Sequence, residues 1–531
     1  MLISAALLVI LVACVILMYR KRLSAMLALP LLALLFAIVA GIPEDYLLNH
    51  ILQRGPLQVA PAIMASIFGG ILAMFIKNRG VVELMIRYTA ELVGDRPLVL
   101  ALSLMFITAA IFTTLGELGT VIMVGSIILP IMLHVGISPV TSAAVMLIGL
   151  AMGGMLNIRN WQLYINVLDL TRTQVRDFAI IMVGLFALFG IVFCVWYLRA
   201  SQLHRFFAEP QAPVKPPLHR LALLSPITPL LFVLFFDWPI VPAFIVGLLF
   251  AILASSTEGE LAIVSLFILL ANVAMFPAIL PGLYDMHIAE RHEAAAAILN
   301  GTLVLLPFLA WTIYQIARNF RRRKSRRAHL AVLSPILPLF LIHAVQLPIT
   351  IAFIAGLVLA LVLTIRHETV QVLTKSIIEA FENVGPAIFL IIGIGMLLET
   401  VNHESISAAF NTLIRPLIPE QGISRTAFIV VFGALAPLAL YRGPLNIWGM
   451  GSGFAAIMLA TQALSAEKIM AVLLAVGAVQ GVCDPTNSHN FWIANYLKVE
   501  PLDLTKRTLP FIWPMAIIAL IIAGWLYFGQ S

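Results

Sequence analysis

The sequence predicts an all-α polytopic membrane protein in which two related halves flank an inserted block. Three observations predict it. Of the 531 residues, 62% are hydrophobic and only 11% are charged, far below the roughly 25% charged residues of a soluble domain. Apolar runs long enough to cross a bilayer, at about 20 residues each, recur along nearly the whole chain. Segments rich in Asn and Thr interrupt these runs at corresponding places, around 157–173 and 487–508.

The elements follow in order. Leu2 to Tyr19 is apolar, and its positive charges, Arg20, Lys21 and Arg22, come after it. That order predicts a first transmembrane helix rather than a cleaved signal, with the charged end favouring the cytoplasm. Further runs lie at about 24–41, 60–77, 97–114, 118–137, 139–157 and 178–198. A second series occupies 221–236, 239–255, 260–283 and 296–318. The last covers 330–345, 347–364, 384–399, 426–441, 445–463, 468–483 and 508–528. The Pro-rich basic loop 199–220 and the cluster from Arg321 to Arg327 divide the three series, and both are expected on the cytoplasmic side. Such flanks account for the net charge of +7, so no basic face remains for nucleic acid. Cys14, Cys194 and Cys483 lie in or beside apolar runs without metal or redox spacing. They predict no disulfide, no metal site and no cofactor.

Two internal similarities set the domain boundaries. Leu221 to Pro229 returns as Leu330 to Pro338, and the match continues to Ala251 and Ala360 with about half the positions identical. This duplicated helix pair marks 201–329 as an added transmembrane block between repeats at 1–200 and 330–531. The second similarity joins those repeats. Asn157-Ile158-Arg159-Asn160-Trp161, followed by Leu168-Asp169-Leu170-Thr171, resembles Asn487-Ser488-His489-Asn490-Phe491, followed by Leu502-Asp503-Leu504-Thr505. Upstream of each comes a Gly/Ser-bearing apolar segment, Gly116 to Pro130 or Gly443 to Ala456, and before that an amphipathic stretch at 78–93 or 400–420. Related halves with interrupted helices at matching positions are the sequence pointer to a secondary transporter.

The interruptions are the expected binding site, because unpaired backbone in hydrocarbon is tolerated only against protein or a wet cavity. A helix start there exposes N–H groups that attract an anion, while exposed carbonyls suit Na⁺ or a proton donor. Expected substrate-binding residues in the first half are Glu117, Gly119, Thr120, Ser126, Asn157, Arg159 and Asn160. Those in the second are Arg442, Gly451, Ser452, Asn487, Ser488 and Asn490. Asp484, Thr486 and His489 share one short break and are the expected coupling-ion residues, since His titrates near neutral pH. Arg442 and Arg159 can each bind a carboxylate bidentately, or else snorkel from a helix end; Glu117 is either a proton carrier or an interfacial loop residue. Asp237 and His343 read as structural or interfacial. The Gly, Ala and Ser residues of 139–157 and 445–480 read as close-packing positions.

At these residues the chain resembles the gluconate permease family of the ion transporter superfamily. The points of likeness are Tyr19-Arg20-Lys21-Arg22, Gly69-Gly70, Glu117-Leu118-Gly119 and Ser488-His489-Asn490-Phe491-Trp492, over roughly 1–200 and 330–531. The resemblance implies two inverted repeats, each with a re-entrant hairpin and a helix broken at mid-membrane, in a homodimer of the inner (plasma) membrane. It also implies uptake of an organic acid anion with H⁺ or Na⁺ by movement of a transport domain. Asn157-Ile158-Arg159-Asn160 departs from the His/Pro-rich break of the sugar-acid members, and 201–329 lies outside the family's core.

A cation/proton antiporter without organic substrate is the competing reading; it needs carboxylates but no anion-binding arginine. An enzyme is not expected. His292-Glu293 opens a zinc-peptidase pattern, but Ala296 stands where its second His belongs, and the chain has no Gly-x-x-x-x-Gly-Lys-Ser/Thr phosphate loop.

Overall fold

A computed structural model of the chain describes residues 2–20, 22–94, 96–116, 118–200, 220–255, 367–414, 423–440 and 450–528, with isolated positions at 354–355, 358–359, 362, 416, 445 and 447. These residues are helical, and no strand occurs among them. Among the described residues, five helical stretches are long and apolar enough to cross a membrane, one of them, Ala466–Leu497, running through a short break; a sixth candidate is a pair of helices bent by 52° at a short break. The runs expected at 260–283, 296–318 and 330–345, the cluster from Arg321 to Arg327, His343 and the second copy of the duplicated helix pair lie outside the described residues.

The first half is built from α1 (Leu2–Tyr19), α2 (Ala25–Val39), α3 (Ala60–Arg79), α4 (Val81–Val93), α5 (Pro97–Phe112), α6 (Leu118–His134), α7 (Pro139–Met155), α8 (Ile158–Leu168) and α9 (Arg172–Ala200). Then come α10 (Thr228–Phe236) and α11 (Ile240–Ala254). The last part comprises α12 (His367–Asn402), α13 (Glu404–Ile414), α14 (Arg425–Leu435), α15 (Met450–Ala460), α16 (Ala466–Cys483), α17 (Ser488–Leu497) and α18 (Pro501–Phe528). The order of α3 to α9 returns in α12 to α18: span, amphipathic helix, hairpin, interrupted span, long span.

The chain divides into two compact units, one of residues 1–70, 82–213 and 380–531, the other of 71–81 and 214–379. In the smaller unit, Gly247 of α11 packs against the Pro229 ring of α10, where a Cβ would stand 2.5 Å away. Arg79, at the end of α3, pairs with Glu368 at 3.2 Å and donates to Thr369 at 2.7 Å. Asn78 donates to Ser376 and to Glu379. Asp237, at φ 52°, closes α10 in the left-handed conformation, the structural role expected of it.

In the larger unit the contacts fix direction. Phe178 meets Tyr527 at one end of α9 and α18, while Phe193 meets Phe511 and Arg507 lies over Tyr197 at the other. These two helices therefore run antiparallel. Gln174 donates to Glu467 at 2.8 Å, so α9 and α16 begin at the same end. Arg425 stacks on Trp525 and Trp513 donates to the Gly433 carbonyl, so α14 enters from that end too.

Helix α5 runs alongside α7 in the same direction. A Cβ on Gly149 would stand 2.5 Å from the Met105 carbonyl oxygen, and one on Gly153 would collide with the Ala109 carbonyl. Since α7, through α8, delivers the chain to the start of α9, α7 and α5 begin at the opposite end. The hairpin α5–α6 therefore enters from one end and α14–α15 from the other. Glycine at 149 and 153 permits this backbone-to-backbone approach, as the small-residue pattern predicts.

Candidate functional site

Each interrupted span breaks at an asparagine. Asn157 caps α8: its Oδ1 accepts the Arg159 N–H at 3.1 Å, and its Nδ2 donates to the carbonyls of Phe112 and Leu115 at the tip of the first hairpin. Asn487 caps α17 in the same way, accepting the His489 N–H at 3.3 Å. Each short helix stops after about three turns in a left-handed residue, Asp169 at φ 51° and Lys498 at φ 54°. N-capping is what short polar side chains do for orphan N–H groups. Here it satisfies an N–H at the point where each span is interrupted.

Around the breaks lies a cavity of about 500 Å³, within the ordinary range for small-ligand sites. Its whole described lining belongs to the larger unit. Gly116, Asn157, Arg159 and Asn160 reach it from the first half, and Asn487, Ser488 and His489 from the second. Both helix starts therefore face one space. The Arg159 side chain is buried and its guanidinium lies over Gly116, where a Cβ would stand 2.8 Å from Nη2. A larger residue at 116 would displace it.

The remaining predicted residues stand elsewhere or are not described. Glu117 and Arg442 lie outside the described residues. Gly119 and Thr120 are in the first turn of α6, and Ser126 bonds back to the Met123 carbonyl. Thr120 is fully buried, and its hydroxyl has no hydrogen-bond partner among the described residues. Gly451 and Ser452 are buried at the start of α15. Asp484 is buried and turns into its own loop, accepting from the Thr486 N–H at 2.8 Å and hydroxyl at 2.7 Å. Asn490 donates to the Val482 carbonyl. None of these eight lines the cavity.

Sequence reasoning passed over two polar lining residues, Asn383 and Gln480, and the aromatics Trp161 and Tyr164. Asn383 had a signal: it stands three residues before Pro386, which interrupts the hydrogen-bond ladder inside α12. Gln480 sits between Gly477 and Gly481 on α16, a lone amide on a small-residue face.

No protein-family model matches the chain, and no curated protein sequence matches it. Among solved structures, the Alcanivorax borkumensis YdaH transporter, whose crystal structure was described as having an unusual topology, matches 95% of this chain and 98% of its own. The TM-score is 0.52 at 13% identity. The chain shares its fold with that transporter. The match runs end to end, so it takes in both hairpins and both interrupted spans. At this identity it bears on architecture and leaves the solute to the cavity itself.

Proposed function

We propose that the chain is a secondary active transporter that moves a small organic acid anion across the cytoplasmic membrane, coupled to H⁺ or Na⁺. The observation that carries this reading is the convergence of two capped helix starts, at Ile158 and Ser488, and the buried Arg159 on one cavity. Helix starts carry partial positive charge and unpaired N–H groups, and a guanidinium binds a carboxylate bidentately. Among the described lining residues there is no carboxylate. That favours an anion over the competing reading of a cation/proton antiporter. Because one unit supplies the described lining, the cavity can travel as a body, as in an elevator-type carrier; a homodimer is the expected assembly.

The test is a thermal-shift screen of the purified protein against organic acids, with and without Na⁺, at two pH values, since a ligand of the folded state raises its stability by mass action. Stabilisation by one acid, strengthened by Na⁺ or low pH, is the expected result. A shift with Na⁺ alone and with none of the acids would transfer the assignment to the antiporter.

Sidedness follows from the charges. Arg96, Lys498, Lys506 and Arg507 lie where α5 and α18 begin, at the end of α9 that leads into the basic loop 199–220. Arg172, Arg176, Arg425 and Lys468 lie opposite. The named residues are four at each end, and the basic residues of the loop, Arg199, Arg205, Lys215 and Arg220, make the first end the richer; it is assigned to the cytoplasm, and the hairpin α5–α6 then opens from inside. In intact cells an impermeant maleimide should label Lys468→Cys and spare Lys506→Cys. The native Cys14, Cys194 and Cys483 are buried and give little background. The reverse labelling pattern would invert the assignment.

A further inference from the structure

Resting on that reading, we infer that the preferred solute is a monocarboxylate with a compact apolar body, rather than a polyhydroxylated sugar acid or a dicarboxylate. The hydrogen-bonding groups at the first break are engaged in holding it. Asn157 bonds the carbonyls of Phe112 and Leu115 and the Arg159 N–H. Asn160 donates to the Gly154 carbonyl at 2.9 Å, and the Trp161 indole donates to the Met155 carbonyl at 2.7 Å. At the second break, the Val482 carbonyl accepts from Asn490 and the Cys483 carbonyl from Thr505.

Asn383, Gln480, Asn487, Ser488 and His489 add a polar patch on the second half's side, and the larger part of the wall is apolar. Leu150, Ile447, Leu473 and Leu474 line it, together with the faces of Trp161 and Tyr164. A sugar acid would set a hydroxyl on every carbon against this wall, and each hydroxyl that lost water without finding a partner would weaken binding. A hydrocarbon body gains from the same surface. Arg159 is the one lining residue with a fixed positive charge among the described residues. It matches one carboxylate; a second would be buried without a counterpart, a costly arrangement.

Hexanoate and gluconate test this directly, because they share a six-carbon monocarboxylate skeleton and differ in the hydroxyls. Binding to the purified protein is measured by thermal shift, and competition by uptake into proteoliposomes. Apparent affinity should climb about 3-fold for each methylene from acetate to hexanoate, with gluconate at least ~100-fold weaker than hexanoate and succinate weaker than butanoate. Arg159→Gln should weaken every acid of the series by about 100-fold while the increment per methylene supplied by the wall is kept. A series whose affinities are unmoved by that substitution reports partition into lipid and overturns the inference. Gluconate or succinate binding as tightly as the matched fatty acid would also overturn it, while leaving the carboxylate transporter standing. If no acid binds, the transporter reading itself falls.

Discussion

Arg159→Gln is expected to reduce anion affinity about 100-fold, or roughly 2.7 kcal/mol, and to reduce uptake in proportion at sub-saturating solute. The size of the effect comes from burial. Side chains as enclosed as Arg159 meet a carboxylate away from competing water, where charge-assisted bonds are about twice as strong as neutral ones. Glutamine keeps a hydrogen-bonding group of similar reach, so the α8 cap formed by Asn157 and the backbone N–H of residue 159 is retained. Arg159→Lys should recover part of the loss, because it restores the charge but not the planar fork. Uptake at several solute concentrations checks both. An unchanged Arg159→Gln protein would remove the guanidinium from the site.

The second large effect concerns packing. At Gly153 an added Cβ would collide with the Ala109 carbonyl and stand 2.9 Å from the Phe112 Cβ. Both neighbours are fixed parts of α5, so no flexible side chain can yield. Gly153→Val should therefore destabilise the fold by about 3 kcal/mol, the upper range for overpacking. It should also pull the hairpin tip away from Asn157, whose Nδ2 bonds to Phe112 and Leu115 require it close. Lower Tm and loss of ligand-induced stabilisation would appear together. Gly184→Ala is the control, since its Cβ would meet nothing within 4 Å and alanine favours the helix. If Gly153→Val behaved like Gly184→Ala, the close approach of α5 and α7 would be wrong.

Much of this architecture was legible because membrane sequences state their exceptions plainly. An asparagine that ends an apolar run, as at Asn157 and Asn487, violates the demand for continuous backbone pairing, and both proved to be caps facing the cavity. The repeated order of elements was visible for the same reason. The composition of the wall was harder to read. Residue type marks Asp484, Thr486 and Asn490 as ligand candidates as strongly as Arg159. What separates them is the rotation of each helix and the turn that folds Asp484 onto Thr486, both set by packing between segments distant in sequence. Asn383 and Gln480 were missed for the converse reason: the local cues, Pro386 after the one and the glycines around the other, mark a helix without saying which face α12 and α16 turn toward the cavity.

The breaks are tied shut by the protein's own side chains: Asn157 to two carbonyls, and Asn160, Trp161, Asn490 and Thr505 to one each. These bonds hold the unwound stretches from within the chain. On the proposed transport reading, a carrier tied in this way would keep a formed receptacle after release and reset empty, so that net accumulation would be open to it without the obligatory swap of one solute for another that a collapsing pocket would impose.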